Sequence, residues 1–314
     1  MSWSHQPAWR RWVYAAKPAS WPKLLVPALL GQALGIAATG RLDGVALAVG
    51  AGFTVFDLLY IVFLNDWGDR QVDAIKRRRF PDGCAPKTIP DGILSAPAML
   101  GAGMGCGIVA LLLAVLGEAI IPRPGLFVAA LGCLLLFVAY TLPPLRLNYR
   151  GGGELVEMTG VGVALPALHA YLQAGTPGLG ALAAVLPGFA LLSLASAVAS
   201  GLSDEESDRE GGKRTVTTTL GNRSARGAGE VAAMLGVTAW MVAGLAGMRW
   251  PLAAGALVAA YHLRDVQRLS DAAVTNAFRA QARYKHHLHL AIWRGGLVVA
   301  AASVLERLAA SGAS

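Results

Sequence analysis

Apolar stretches of about 20 residues recur along the whole chain and are separated by short polar segments. A helix of that length crosses the hydrocarbon core of a bilayer and satisfies its own backbone hydrogen bonds there. We place nine spans along the chain, at residues 22–39, 44–64, 94–117, 125–142, 155–174, 179–200, 229–248, 250–263 and 288–306. The pattern predicts an all-α, polytopic membrane protein, with residues 1–314 forming one domain.

The composition agrees with this class. Hydrophobic residues make up 55% of the chain, charged residues only 15%, and the mean hydropathy is +0.51. Cys84, Cys106 and Cys133 are too few and too widely spaced for a zinc cluster or a disulfide framework. Residues 1–23 contain no apolar segment that ends in a small-residue cleavage site, so we expect no cleaved signal peptide.

The positive charges are distributed unevenly between the two sides of the predicted bundle. Of the 27 Lys and Arg residues, 22 lie in the N-terminal segment and in the loops that follow the even-numbered spans. The positive-inside rule therefore predicts a cytoplasmic N-terminus and a C-terminus on the opposite side. The net charge of +8 is then a topology signal and not a nucleic-acid footprint, although a basic rim also attracts anionic lipid heads and phosphorylated substrates.

Two acidic segments follow the second and sixth spans, on the predicted cytoplasmic side. The first segment contains Asn65, Asp66, Asp69 and Asp73, and the second contains Asp204 and Asp208. A separation of four residues places a pair of side chains on one side of a helix. Carboxylates are costly at a membrane boundary, so we expect these to be retained for a ligand.

Like carboxylates that converge repel one another, and a cation between them would relieve the repulsion. Hard oxygen donors suit Mg²⁺, with Mn²⁺ as an alternative, and Mg²⁺ is usually held by a few carboxylates together with substrate phosphates. Cationic side chains that could contact a diphosphate lie nearby, namely Arg70, Lys76, Lys87 and Lys213. The predicted ligand is a metal-bound diphosphate, and an apolar cavity below it would suit a polyprenyl chain.

Several other features have simpler structural interpretations. The glycine-rich run at residues 100–107 is typical of close packing between membrane helices. His169 either is a hydrogen-bonded buried group or lines the substrate cavity. His286, His287 and His289 precede the last span, which favours an interfacial role over a metal site.

The acidic motifs resemble those of a known family. Residues 65–73 resemble the NDxxDxxxD signature of the UbiA superfamily of intramembrane prenyltransferases, and residues 204–216 resemble its DxxxD motif followed by GKRT. This resemblance implies a ring of nine helices around a central cavity, with cytoplasmic cap segments. It also implies transfer of a prenyl group from an isoprenyl diphosphate to an acceptor, commonly an aromatic ring, with two Mg²⁺ ions. The metal positions implied by the match are Asn65, Asp66, Asp69, Asp73, Asp204 and Asp208.

The same resemblance suggests further roles. It implies that Asp69, Asp204 and Asp208 are catalytic, with Asp208 acting as a metal ligand or as a base. The segment 140–154 resembles the YxxPPxRLxYxGxGE pattern of 1,4-dihydroxy-2-naphthoate polyprenyltransferases, which serve menaquinone synthesis. By that analogy Arg146 contacts the diphosphate and Tyr140 lines the cavity. Aromatic faces that could protect an allylic cation are those of Tyr140, Phe63 and Trp67.

Other functions share these motifs. A prenyltransferase with another acceptor, such as homogentisate, 4-hydroxybenzoate or chlorophyllide, or a UbiA-type terpene cyclase, would keep both acidic segments. A divalent-cation transporter also needs membrane carboxylates, but transporters place them near the bilayer midplane, whereas both segments here lie on one side. We expect membrane lipid around the protein, and neither a nucleic acid nor an obligate protein partner.

Overall fold

The computed structural model describes residues 3–247 and 249–312. Its helices are α1 (Ala8–Ala15), α2 (Pro22–Thr39), α3 (Gly44–Arg79), α4 (Ala96–Ile120), α5 (Leu126–Thr141), α6 (Leu147–Arg150), α7 (Gly153–Thr159), α8 (Leu165–Ala174), α9 (Thr176–Leu182), α10 (Leu186–Gly201), α11 (Glu205–Glu210), α12 (Val216–Leu220), α13 (Asn222–Ala246), α14 (Trp250–Ser270) and α15 (Phe278–Gly312). A π-helical segment at Gly160–Ala164 joins α7 to α8, and single 3₁₀ turns lie at Trp3–His5 and Pro18–Ser20. The described residues contain no β-strand.

Several of these helices can cross a bilayer. Six are long and apolar enough by length and composition, namely α2, α3, α4, the continuous run from α7 through α8, α13 and α15. Two shorter apolar helices are α5 and α10. The protein is thus an all-α, multi-pass integral membrane protein, as the hydropathy pattern predicted.

Helix α3 is longer than the predicted span 44–64. It continues for 36 residues to Arg79, so the first acidic motif lies on the helix itself and not in a loop after it. No proline or turn signal interrupts residues 65–79, and the first proline beyond is Pro81. Four basic residues in the last turn also interact favourably with the helix dipole.

Other predicted spans are interrupted or extended. The predicted span 155–174 consists of α7, the π-helical segment and α8, and the predicted span 179–200 is divided between α9 and α10. Prolines lie in the first turns of α9 and α10, where a helix leaves its first N–H groups without an intrahelical partner, and Pro166 lies just after the π-helical segment. The predicted span 250–263 continues to Ser270 as the 21-residue α14.

The main helices pack as a closed bundle, because neighbours along the chain contact one another and α15 returns to pack on α2. The glycine-rich run of α4 allows close approach to α3. A Cβ atom at Gly103 would lie 2.7 Å from Leu64, and one at Gly107 would lie 2.8 Å from Tyr60. The packing role predicted for this run is therefore confirmed.

Two crevices lie inside the bundle. One is between α3, α4, α5 and α8 and includes His169, and the other is between α2, the π-helical segment, α10 and α15. Each has room for about one water molecule. A prenyl chain would therefore enter the bundle only if side chains or helices move.

Cap segments cover one end of the bundle. The ring of Trp12 in α1 packs edge-on against Phe63 of α3, with centroids 5.6 Å apart, and the hydroxyl of Tyr14 donates to the carbonyl of Pro86 at 2.7 Å. Trp9 and Val13 are exposed on the same short helix, as expected for a helix at a membrane interface. The loop 80–95 and helices α11 and α12 complete this end, which we call the acid-bearing end.

Candidate active site

The two acidic motifs meet at the acid-bearing end. The Nζ atom of Lys213 lies 2.8 Å from Oδ2 of Asp69 and 3.7 Å from Oδ1 of Asp208. Lys76 of α3 forms an ion pair with Asp204, which directly precedes α11. The structure therefore brings together acids that are distant in the sequence, with cations between them.

The remaining acids of the first motif are paired with lysines in the same way. Asp66 forms an ion pair with Lys17, and its second oxygen accepts a hydrogen bond of 2.6 Å from the hydroxyl of Thr88. Asp73 lies 2.5 Å from Lys87. Four lysines from four separate segments thus contact the acids that the sequence singled out.

Helical periodicity explains how α3 presents these groups. Asp66, Asp69, Asp73 and Lys76 are spaced by three or four residues, which places them on one side of the helix. Asp66 and Lys76 are buried there, with exposed fractions of 3% and 7%. A buried charge without a partner is strongly destabilising, so the folded state requires these ion pairs.

The two acids of the second motif have different electrostatic environments. Burial raises the pKa of Asp208 to about 7, and Lys213 opposes this shift only in part. Burial acts in the same direction on Asp204, but Lys76 and Lys87 hold the pKa of that carboxyl below its usual value. Near neutral pH, Asp204 is therefore ionised, while Asp208 can exchange a proton.

Lys213 and Lys87 remain cationic despite their burial. Burial alone would lower the pKa of Lys213, yet Asp69 and Asp208 raise it above the ordinary value. The carboxylates of Asp73 and Asp204 have the same effect on the pKa of Lys87. The end of the bundle thus holds a fixed set of positive charges.

Tyr149 and Arg146 form one wall of the site. The hydroxyl of Tyr149 donates a 3.1 Å hydrogen bond to Asp69, while the guanidinium of Arg146 lies 3.5 Å from the centroid of its ring. Lys213 lies 4.9 Å from the same centroid. The Nε atom of Arg146 is buried and has no hydrogen-bond partner within residues 3–247 and 249–312, so it could bind an anion.

Not every predicted residue lies among these charges. Arg70 turns towards Trp67, donating to its carbonyl at 2.6 Å and covering its ring at 4.6 Å. Trp67 and Phe63 pack in the hydrophobic cluster beneath α1. Asn65 is half-buried, and its side chain makes no hydrogen bond to the described parts of the chain. The acids whose charges act on the Tyr140 hydroxyl include Asp69 and Asp208.

His169 lies elsewhere in the bundle. Its ring nitrogens contact Gln32 at 3.1 Å and Thr54 at 2.8 Å. Thr54 precedes Asp66 by twelve residues on the continuous helix α3, which corresponds to about 18 Å. The environment is that of a hydrogen-bonded buried histidine, and the structure does not bring this side chain to the acids.

Sequence reasoning missed four residues of this end, namely Lys17, Thr88, Tyr149 and Lys285. Lys17 lies in the turn after α1, directly before the 3₁₀ turn Pro18–Ser20. Its backbone has the left-handed conformation, with φ of 48°. No local pattern identifies it, because its contact with Asp66 is purely tertiary. Tyr149 could have been found, since it lies inside the segment that resembles the naphthoate enzymes.

The donor set fits Mg²⁺ that is shared with a diphosphate. The acids supply hard oxygen atoms, and ammonium groups lie beside them. Within the part of the chain that the structure describes, no three His, Cys, Asp or Glu side chains form a complete metal site. Mg²⁺ in proteins is commonly held by one or two carboxylates and completes its coordination with phosphate oxygens and water.

Solved structures of other proteins share this fold. A UbiA homologue from Archaeoglobus fulgidus bound to DMAPP and Mg²⁺ matches with a TM-score of 0.64 and 18% identity, over 92% of this chain and 99% of that one. The same homologue bound to GPP and Mg²⁺ gives the same values. At this identity the match establishes the fold alone.

Curated relatives are chlorophyll synthases of plants. Those of Oryza sativa subsp. japonica and Arabidopsis thaliana are each 28% identical, over 228 and 234 residues, and each match covers 69% of this chain. The chain spans 57% and 55% of those two relatives. The profile of the UbiA prenyltransferase family matches residues 24–289, which include both acidic motifs. The chain therefore belongs to the UbiA prenyltransferase family.

Proposed function

We propose that this protein transfers a polyprenyl group from an isoprenyl diphosphate to an aromatic acceptor in a Mg²⁺-dependent reaction. The observation that carries the proposal is the position of Lys213 between Asp69 and Asp208, with Lys76 against Asp204. Support comes from the A. fulgidus homologue, which binds DMAPP or GPP together with Mg²⁺.

The chemistry explains why the site would need both cationic side chains and acids that hold Mg²⁺. Ionisation of the allylic C–O bond develops negative charge on the leaving diphosphate, and pre-positioned cations stabilise it where it appears. The cationic side chains that would act in this way are those of Lys17, Lys76, Lys87, Lys213 and Arg146. Asn65 and the five aspartates of the two motifs would hold Mg²⁺, which supplies further charge neutralisation when bound.

The second half of the reaction forms a bond between the allylic carbon and the acceptor. Tyr140 stacks on Phe137 with centroids 5.9 Å apart, and these rings could shield the allylic cation from water. When an aromatic carbon is prenylated, its ring proton must leave as the new C–C bond forms. Asp208 is a candidate for either role, metal ligand or proton acceptor, and its pKa of about 7 in the metal-free protein suits the second.

The first candidate acceptor is 1,4-dihydroxy-2-naphthoate, the precursor of menaquinone-type quinones. It is supported by the segment 140–154, whose Tyr140, Arg146 and Tyr149 all lie near Asp69. A chlorophyllide-type tetrapyrrole is the second, supported by the match to chlorophyll synthases.

The charge distribution supports a cytoplasmic location for the acid-bearing end. This end carries the N-terminal segment and the loops that are rich in Lys and Arg. The C-terminus would then lie on the opposite side. Water-soluble acceptors would reach the site from the cytoplasm, and the prenyl chain would enter from the lipid.

Enzyme assays can test this function. Membranes would be incubated with labelled farnesyl or geranylgeranyl diphosphate, Mg²⁺ and one acceptor at a time, namely dihydroxynaphthoate, homogentisate, 4-hydroxybenzoate or chlorophyllide. We expect a prenylated dihydroxynaphthoate that disappears with EDTA and in Asp69→Asn, while Asp82→Asn, an exposed loop aspartate, retains activity.

The other outcomes are equally informative. Prenylated chlorophyllide would identify the second candidate, and a cyclic hydrocarbon formed without any acceptor would identify a terpene cyclase. Undiminished product from Asp69→Asn would contradict the proposed site.

A further inference from the structure

The crevice between α2, α10 and α15 has a polar lining inside an otherwise apolar bundle. Its wall includes Lys23 of α2, Ser193 and Ser196 of α10, and Trp293 of α15. His289 of α15 also faces it, since its Nε2 atom lies 3.0 Å from the hydroxyl of Ser196. Within a membrane protein such groups are costly unless they hydrogen-bond or bind a ligand.

One of these groups lacks a partner. The hydroxyl of Ser193 is buried, with 3% exposure, and forms no hydrogen bond within residues 3–247 and 249–312. It lines the crevice directly. A buried donor left without a partner costs free energy, so this hydroxyl is suited to bind a group that enters the crevice.

The backbone opposite Ser193 is also unusual. Gly160–Ala164 forms a π-helical turn, a feature that occurs frequently at functional sites. A Cβ atom at Gly162 would lie 2.9 Å from Cβ of Ser193 and 3.0 Å from its Oγ. The absence of a side chain at Gly162 therefore allows the π-helical segment to pack directly against Ser193, and a larger residue there would crowd the serine hydroxyl.

The crevice lies directly below the charged end of the bundle. Ser196 precedes Asp204 by eight residues along α10 and the turn after it, which corresponds to about 12 Å. Lys285 lies one helical turn before His289 on α15, and its charge interacts with Lys23 and Asp204. A ring whose hydroxyl is held in the crevice would therefore extend towards the acids, where the first carbon of the prenyl chain would lie beside its diphosphate.

We infer that this crevice is the subsite for the polar edge of the acceptor, and that it recognises the ring hydroxyl of a hydroxylated arene. The hydroxyl binds Ser193 and the Ser196–His289 pair, and the arene packs against Trp293, whose indole already stacks on His289 at 4.9 Å. Because the crevice has room for about one water molecule, side chains must move to admit the ring. The inference rests on the proposed function and specifies its acceptor class.

The test is an equilibrium-dialysis measurement on the purified full-length chain. The probes are 1-hydroxy-2-naphthoate and 2-naphthoate, which differ only in the ring hydroxyl. We expect wild type to bind the hydroxylated probe about tenfold more tightly, the effect of one well-placed buried hydrogen bond. Ser193→Ala and His289→Gln would reduce this ratio to about two or less.

Ser200→Ala is the matched control, because Ser200 lies one turn further along α10 and its hydroxyl bonds only the carbonyl of Ser196. It should keep the wild-type ratio. Gly162→Ala provides a second variant that leaves the Ser193 hydroxyl in place but crowds it, and it should also reduce the ratio. Binding of farnesyl diphosphate, measured on each variant, shows that the fold is retained.

Three results would overturn the inference: equal binding of the two probes by wild type, an unchanged ratio in Ser193→Ala, or an equal loss in Ser200→Ala. The proposed function fails separately. If no acceptor is prenylated but the hydroxyl preference depends on Ser193, the subsite is real and the proposed reaction is wrong. If prenyl transfer proceeds but the preference is absent, the reaction stands and the subsite is wrong.

Discussion

The Nζ atom of Lys213 lies 2.8 Å from Asp69 on α3, although four apolar helical segments lie between the two residues in the chain, namely α4, α5, the run from α7 through α8, and α10. The same ammonium is 3.7 Å from Asp208, so a single cation links both acidic motifs. With side-chain exposures of 8% and 14%, Lys213 and Asp69 form a buried pair. Both the stability of this end and its capacity to bind an anion therefore depend on their charges.

Replacing Lys213 by Met should lower both stability and activity. The substitution leaves Asp69 and Asp208 buried without their shared cation, which costs about 3–5 kcal/mol. Thermal unfolding of the purified protein would show a lower Tm, and prenyl transfer should fall at least tenfold. The double variant Asp69→Asn with Lys213→Met should recover part of the Tm but not the activity. A Tm equal to that of wild type would show that the pair does not stabilise this end.

Lys17 should be important for binding of the diphosphate donor. It reaches Asp66 from the turn after α1, so Lys17→Met removes a cation from the site without changing the bundle core. We expect KM for the prenyl diphosphate to rise about tenfold, the usual effect of losing one charge-assisted contact. Arg10→Met, an exposed change on the preceding helix, is the control and should leave KM unchanged. Equal effects of the two substitutions would indicate a general electrostatic influence.

Asp208 should give the metal-free protein a characteristic dependence of stability on pH. Because burial raises its pKa to about 7, the folded state binds a proton that the unfolded state releases near pH 4. This group's contribution to stability is therefore fully present below about pH 4 and is lost as the pH rises through 7. In EDTA, wild type should lose this stability as the pH rises from 4.5 to 7.5, whereas Asp208→Asn should not. The Tm of the variant minus the Tm of wild type should therefore increase by a few °C over this range. A constant difference across this range would contradict the raised pKa.

The contact between α3 and α4 should tolerate no larger residue at Gly103. A Cβ atom there would lie 2.7 Å from Leu64, so Gly103→Ala should cost about 1–3 kcal/mol through overpacking. Gly101→Ala and Gly105→Ala are matched controls on the same helix, because a Cβ atom at either position meets nothing within 4 Å. Thermal unfolding of the three variants would compare them. Similar Tm values for all three would argue against close packing at Gly103.

Much of the architecture follows from the sequence. Apolar stretches of membrane length form helices, because a helix pairs all of its backbone N–H and C=O groups within one segment. An open sheet would leave the groups at its edges unpaired in lipid. Their order also predicts that Asp66 and Asp204 lie on one side of the bilayer, since an even number of spans separates them. The metal and diphosphate chemistry assigned to these acids remains a prediction, which the assays above address.

Two side chains have surroundings that the sequence did not predict. His289 was assigned with His286 and His287 to an interfacial role, but it points to Ser196 inside the bundle. Arg70 was expected to contact a diphosphate, but it covers Trp67. Helical position alone decides neither case, because a partial rotation about the helix axis changes whether a side chain faces lipid, the bundle interior or the cap.

The sequence by itself determined the class of fold, the end of the bundle that carries the acids and the glycine contacts of α4, because hydropathy and spacing are local properties. Only the tertiary structure decided that Lys17 pairs with Asp66, that Lys213 joins Asp69 to Asp208 and that Ser193 faces a polar crevice. Those contacts join segments that are far apart in the chain. Their geometry depends on how long helices tilt, rotate and pack, which no local pattern of residues specifies.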